Sequence, residues 1–250
     1  MTWLMKENLS KTLVILFLLL LPSLVSAESS DLNVHIKNGN KYFQKADYGK
    51  AIEEFKKALK ISPNNAKGHF SLGLAYFYHY MNEVRENQNK EMLSLFMSPE
   101  TKTEEVIDGE SDQTKTLDDL AVDEWKRAIE LDDSIRGAHY FLGTYYHNVE
   151  KYEEAEKELK REIELNPQYS NSYSVLASVY EKMNKIDLAI AYHKKTLELD
   201  PDSESNHYDL MRIYQRIGRK KEAQREYDFL KAKKSVFLNG VDPKLFNQGK

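Results

Sequence analysis

The chain has 250 residues, a formal net charge of −4 and 30% charged residues, which is ordinary for a soluble protein. This balance argues against a dominant nucleic-acid surface, because binding a phosphate backbone requires a concentrated basic face. Cysteine is absent, which removes disulfides, thiolate nucleophiles, cysteine–zinc sites and covalent haem attachment.

The first 27 residues have the pattern of a secretory signal segment. Lys6 and Lys11 supply positive charge, and residues 12–21, TLVILFLLLL, form an apolar run of the expected length. Small residues follow, so we expect cleavage after Ala27, a mature chain that begins at Glu28 and a short leader over residues 28–31. The chain would then be exported, to the periplasm or outside the cell. The alternative is an uncleaved membrane anchor, although the run is shorter than the ~20 residues that span a bilayer comfortably.

Residues 32–65 have the pattern of two short helices joined by a tight turn. The first helix is predicted to run to residue 46, the turn to cover 47–49, and the second helix to cover 50–61. Ala51, Phe55 and Ala58 recur at spacings of four and three and give the second helix one apolar face. Pro63 stops this helix, because its ring and missing N–H cannot continue one.

The same pattern returns over residues 66–135, 136–169, 170–203 and 204–235. Its marker positions are 34, 70, 34 and 34 residues apart, and they are Gly39, Gly73, Gly143, Ala177 and Met211. The spacing of 70 is one period plus an insert of 36 residues, residues 81–116, inside the second copy. Residues 83–97 of the insert are expected to prolong the first helix, and residues 98–116 to form a polar loop. Residues 236–250 are predicted to be a tail.

This pattern resembles the tetratricopeptide repeat, whose period is ~34 residues and whose signature is W-x2-L-G-x2-Y, then A-x3-F, then P. The resemblance covers roughly residues 32–235. It implies an all-α solenoid of about five helix-turn-helix repeats, with the insert inside the second repeat. We call the two helices of each repeat helix A and helix B.

In this family, positions 2, 5, 9, 12 and 13 of each repeat form a concave surface, here called the helix-A face, that binds extended or helical peptides. Transferred to this sequence, the candidate partner-binding residues are Phe43, Phe70, Leu74, Phe77, Tyr78, Tyr140, Thr144, His147, Tyr208, Arg212 and Arg216. The N-terminal part of this surface is aromatic and the C-terminal part is polar. Either the aromatic part binds a partner, or the insert folds back and covers it.

Four histidines, at position 4 of their repeats, are the residues that most invite a catalytic or metal role: His35, His69, His139 and His207. They lie about one repeat apart, too far to share one ion, and we expect them to be packed and to form local hydrogen bonds. No H-E-x-x-H motif, phosphate-binding glycine loop or G-x-S-x-G elbow occurs. We therefore expect no catalytic, metal or cofactor site, and no enzyme.

The sequence predicts an exported scaffold or adaptor that binds partner proteins or peptides, in envelope assembly. Two alternatives stay open. One is a membrane-anchored protein that forms the soluble arm of an integral envelope complex. The other is an enzyme whose site is built by residues 81–116, since long insertions are often functional.

Overall fold

The computed structural model describes residues 30–97 and 115–246, and the regular structure of these residues is entirely helical. Helix α1 covers residues 30–44. Helices α2 to α10 are Tyr48–Ile61, Ala66–Met97, Leu117–Leu131, Ala138–Asn148, Tyr152–Leu165, Ser170–Lys182, Ile186–Leu199, Glu204–Arg216 and Lys220–Lys233. Two 3-10 turns follow, Val236–Leu238 and Pro243–Leu245. The predicted all-α class is confirmed.

The helices form two compact units that divide between Ile135 and Arg136. The first unit contains the hairpins α1–α2 and α3–α4, and α2 packs on α3. The second unit contains the hairpins α5–α6, α7–α8 and α9–α10, with α6 packed on α7 and α8 on α9. Each hairpin corresponds to one of the five predicted repeats.

In three of the described hairpins, the seam pairs a glycine of helix A with a large residue of helix B. The three glycine pairs are Gly39 with Phe55, Gly73 with Trp125, and Gly143 with Leu159. A Cβ added to any of these glycines would lie between 2.5 and 2.7 Å from the side chain of its partner. The large partners are at most 1% exposed. The absence of a side chain therefore lets the two helices approach closely enough to bury the large residue, which contributes about 1.5–3 kcal/mol for each such side chain.

The turn of the first repeat lies earlier in the chain than predicted. Helix α1 ends at residue 44 and α2 begins at Tyr48, so both boundaries are two residues before their predicted places. Asp47 is the N-cap of α2, and its side chain accepts a hydrogen bond from the backbone N–H of Lys50 at 3.3 Å. This bond satisfies a donor that the first turn of a helix leaves free.

The insert continues helix A of the second repeat. Helix α3 runs to Met97, as predicted for residues 83–97. Residues 98–114, and with them most of the predicted loop, lie outside the described residues. Helix α4 then begins with a capping box, in which the side chains of Thr116 and Asp119 each accept a hydrogen bond from the other residue's backbone N–H.

The predicted tail, residues 236–250, is part of the packed fold as far as Phe246. The ring of Phe246 is 8% exposed and stacks on Tyr227 of α10 at 4.2 Å between centroids. Leu238 and Val241 pack against the same core. No repeat follows α10 in the described chain, so this segment covers the apolar side of α10 instead. The segment predicted as a tail is therefore packed on the second unit as far as Phe246.

Candidate functional site

In the first unit the helix-A face carries an aromatic cluster, which we define as Phe43, Tyr48, Phe77 and Tyr78. The Tyr78 ring lies 5.5 Å from Phe43, 5.7 Å from Tyr48 and 5.5 Å from Phe77 between centroids. Phe43 also makes an edge contact with Tyr48 at 5.3 Å. Tyr78 is 37% exposed, whereas its three neighbours are half-buried. The cluster holds Tyr78 in place while leaving part of its ring accessible.

The other predicted residues of this unit are more deeply packed. Phe77 is tilted against Trp125 of α4 at 5.7 Å, so it joins the cluster to the core. Phe70 and Leu74 are half-buried on α3. Phe77, Phe70 and Leu74 thus support the face, while Tyr78 is its accessible member.

Tyr48 was missed by the sequence prediction, which assigned it to the turn. The signal that would have found it is an aromatic residue at position 17, the first of helix B. The same position in the third repeat is Tyr152, whose ring lies 6.2 Å from His147 at position 12. Contact between positions 12 and 17 therefore occurs in two repeats.

In the second unit the predicted residues of α5 are half-buried. The Tyr140 ring makes an edge contact with Tyr169 at 5.1 Å. The Thr144 hydroxyl donates a hydrogen bond to the carbonyl of Tyr140 at 2.8 Å, so it serves its own helix. His147 lies with Nδ1 3.2 Å from the side-chain oxygen of Asn148. This part of the face offers aromatic surface more than free polar groups.

The α9 part of the face is charged. Arg216 donates to Oε1 of Glu181 at 3.0 Å, and an Nη atom of Arg212 lies 3.5 Å from the same oxygen. The side chains of Arg212 and Arg216 are 47% and 50% exposed, and that of Glu181 is 15% exposed. Arg212 lies over the ring of Tyr208 at 5.9 Å. Glu181 thus positions two guanidinium groups, each of which has further N–H donors besides those that face the carboxylate.

Asp209 adjoins this network. Its side chain accepts a hydrogen bond from Arg212 at 3.3 Å. Burial raises the pKa of the Asp209 carboxyl, although the charges of His193 and Arg212 act in the opposite direction.

The most deeply buried carboxylate has a structural role. Glu162 of α6 is fully buried, and its Oε2 accepts a hydrogen bond from the backbone N–H of Gly137 at 2.8 Å. Gly137 is the N-cap of α5 and has no side chain to cap the helix. Burial raises the pKa of Glu162, and the bond from Gly137 opposes that shift. Glu162 caps α5 from the neighbouring helix, so its perturbed pKa does not indicate catalysis.

The histidines at position 4 are packed against helix B. His139 is 3% exposed, and its Nδ1 lies 2.7 Å from Glu158. Within residues 30–97 and 115–246, no three or more histidine, aspartate or glutamate side chains are grouped so that they would hold a metal ion.

Models of repeat families match three segments of the chain. One, described as a TPR repeat, matches residues 39–78, and another, described as a tetratricopeptide repeat, matches residues 137–169 and 170–203. The chain contains tetratricopeptide repeats. This confirms the repeat type that the sequence predicted, and tetratricopeptide repeats generally bind protein partners on their concave surfaces.

Solved structures with a similar fold include two of MamA and one of PilF. One MamA structure is 22% identical, with a TM-score of 0.59 over 89% of this chain and 98% of that chain. A second is 25% identical, with a TM-score of 0.59 over 78% and 94%. PilF of Pseudomonas aeruginosa is 20% identical, with a TM-score of 0.59 over 82% of this chain and 78% of that chain. No curated protein sequence matches the chain. These similarities support the tetratricopeptide repeat fold.

The predicted signal segment, with its cleavage site between Ala27 and Glu28, lies outside the described residues. Among the residues that the structure does describe, no helix has both the length and the apolar composition needed to cross a membrane.

Proposed function

We propose that this chain is an exported scaffold or adaptor that binds partner proteins or peptides on the helix-A face of its tetratricopeptide repeats, in assembly of the cell envelope. The observation that carries the proposal is the aromatic cluster of the first unit. Tyr78 is held by three aromatic neighbours and remains 37% exposed. Tyrosine held in this way contributes contact area at low entropic cost, and such residues dominate the binding energy of many interfaces.

The second unit supports the proposal with different chemistry. Arg212 and Arg216 are about half exposed and are oriented by Glu181. Charged groups of this kind set the orientation of a partner and its rate of association more than its affinity. The aromatic cluster is therefore the expected anchor, and the arginines are expected to select among partners.

Export to the periplasm or beyond rests on the pattern of residues 1–27. Its test is the mass of the N-terminal peptide of the protein isolated from its own cells. A mature chain that begins at Glu28 would support export by cleavage and exclude the anchored alternative. Retention of residues 12–27 in the mature protein would instead favour the membrane-anchored arm.

Partner binding is tested by placing a photo-crosslinking amino acid at position 78 in the native cell. The matched control is position 188, because Leu188 is also a large apolar residue, 43% exposed, but lies on a helix B. We expect defined protein adducts at position 78 and none of the same adducts at position 188. Identical adducts at both positions, or none at position 78, would count against a binding role for the helix-A face.

A further inference from the structure

Position 4 of the repeat joins the two helices of a hairpin by an ionisable pair. In four of the five repeats it is a histidine whose Nδ1 lies between 2.5 and 2.8 Å from a glutamate of helix B. The glutamate follows 19 residues later, or 55 where the insert intervenes. The pairs are His35–Glu54, His69–Glu124, His139–Glu158 and His207–Glu226.

In the second and fifth repeats the other ring nitrogen is also engaged. Nε2 of His69 lies 2.8 Å from the carbonyl oxygen of Pro63, and Nε2 of His207 lies 3.1 Å from that of Pro201. Each of these prolines ends the preceding repeat. The histidine therefore contacts three segments: its own helix A, helix B of the same repeat, and the end of the repeat before.

The two contacts require two protons on the ring. A carbonyl and a carboxylate both only accept hydrogen bonds, and a neutral imidazole has one N–H to donate. A neutral ring would leave one nitrogen lone pair facing an oxygen lone pair. A proton on the glutamate would remove that conflict, but imidazole is the stronger base by about two pK units. For His207 the contact geometry therefore fits an imidazolium ion.

The fourth repeat makes the same junction without a titrating group. Tyr173 stands at position 4, and its hydroxyl donates to the carbonyl oxygen of Pro167 at 3.1 Å. Its partner on helix B is Tyr192, at 6.1 Å between ring centroids, in place of glutamate. A phenol keeps its proton throughout the range in which histidine titrates. The fourth repeat can therefore serve as a control in which tyrosines replace the histidine–glutamate pair.

His207 lies between α10 and the end of the fourth repeat. Its side chain is 12% exposed, and its ring stacks on Phe229 at 3.7 Å. Burial opposes protonation of His207, but the Glu226 carboxylate, the Pro201 carbonyl and the charge of Asp202 outweigh it and raise its pKa. Asp202 is itself paired with Lys233 of α10 at 2.7 Å.

The junction of His69 has the same plan. Glu124 of α4 faces Nδ1, and the side chains of His69 and Glu124 are 13% and 23% exposed. Arg127 of α4 donates to the side chain of Asn64, next to Pro63, at 3.0 Å.

We propose that His207 acts as a proton-dependent clasp, which as an imidazolium ion ties the hairpin α9–α10 to the end of the repeat before it. When the ring loses its proton to solvent, one of the two hydrogen bonds is lost and the junction loosens. The device would make the docking of the last hairpin, α9–α10, firmer at mildly acidic pH than at alkaline pH.

The test is a titration of the ring nitrogens of His207 by NMR, on the full chain with ¹⁵N-labelled histidine, between about pH 5.5 and 9. The reference is the same protein unfolded in urea. We expect both ring nitrogens to carry protons at neutral pH and a midpoint above the unfolded one. A midpoint at or below that of the unfolded chain, or a single protonated nitrogen at neutral pH, overturns the proposal.

Hydrogen exchange measured by mass spectrometry provides the second readout. The opening constant of the segment around His207, corrected for intrinsic exchange, should rise as pH increases, by up to about tenfold for each unit by which the two midpoints differ. The double variant His207→Tyr with Glu226→Tyr copies the fourth repeat and should abolish that rise. The reverse variant, Tyr173→His with Tyr192→Glu, should create one at the fourth repeat. A wild-type opening constant that does not change with pH contradicts the clasp, whether or not the variants fold.

Discussion

The helix-A face is built from different chemistry in the two units. In the first unit it is a cluster of four aromatic rings, with centroids 5.3–5.7 Å apart. In the second unit, Glu181 positions two arginines, one of which lies over Tyr208. In both units a glycine of helix A meets a large residue of helix B, as Gly39 meets Phe55 and Gly143 meets Leu159. The repeat constrains the seam between its helices and leaves the face variable, so one chain presents both an apolar and a charged surface.

The largest expected effect tests whether the seams of the two units are equivalent. Phe55→Ala and Leu159→Ala each remove a side chain that is at most 1% exposed and faces a glycine of helix A. We expect the free energy of unfolding to fall by about 3–5 kcal/mol for the first and about 2–5 kcal/mol for the second, because each leaves a cavity that the helices cannot close. Urea unfolding followed by circular dichroism measures both. A loss below about 1 kcal/mol in either unit would mean that its seam is not the core.

The next effect concerns the ionisable pair of the first seam. Hydrogen bonds from His35 and then Lys57 lower the pKa of Glu54 to about 2. A carboxylate whose folded pKa is depressed stabilises the fold above its unfolded pKa, near 4.5 here, and loses that contribution as pH falls towards 2. Glu54→Gln should therefore cost about 2 kcal/mol at pH 6, since charge-assisted bonds contribute about that much.

The pH profile distinguishes this ionic contribution from simple packing. The difference in unfolding free energy between the wild type and Glu54→Gln should shrink as pH is lowered from about 6 to 2.5. Chemical unfolding at a series of pH values gives the difference directly. A cost that stays constant over that range would show that Glu54 acts through packing alone.

The all-α fold and the repeat type were predictable from the sequence, and the details of the faces were not. Gly39, Phe55 and Pro63 follow the repeat pattern closely enough to place both helices. Ala46 and Glu150 have left-handed backbone conformations, with φ of 57° and 60°. Neither is a glycine, the residue type that would have predicted this conformation from the sequence. Each lies in a helix C-terminal cap, in which the backbone N–H of the next residue, Asp47 or Lys151, donates to the carbonyl of Tyr42 or Tyr146.

Two further features depend on contacts between separate elements, which the sequence prediction did not find. Phe246 covers Tyr227 because no repeat follows α10 in the described chain, and nothing in the local sequence of residues 236–246 indicates it. The glutamates paired with the histidines were visible in principle, as a recurrence of glutamate 19 residues after histidine in three repeats. That recurrence relates two helices of a hairpin, whereas helical periodicity considers one helix at a time.

A smaller effect tests the aromatic face on its own. Tyr78→Ala should weaken binding of a partner captured at position 78 by about tenfold, because the loss of one exposed aromatic anchor costs about 1–2 kcal/mol. The loss should be the same between about 0.05 and 0.5 M salt, since apolar burial is not screened. Leu188→Ala is the control and should leave affinity unchanged. Calorimetric titration measures all three proteins, and a loss that disappears at high salt would assign the contact to charge.

The smallest effect concerns the charged face of the second unit. Arg216→Ala should change the free energy of unfolding by less than about 0.5 kcal/mol, because the Arg216 side chain is half exposed and loses side-chain entropy when it pairs with Glu181. Glu181 also keeps Arg212 as a partner, at 3.5 Å, so the carboxylate is not left alone. Thermal and urea unfolding of Arg216→Ala and the charge-preserving Arg216→Lys provide the measurement. A loss above about 1.5 kcal/mol in the alanine variant would make the arginines part of the scaffold. In that case the contrast between the units would lie in how they are stabilised rather than in what they bind.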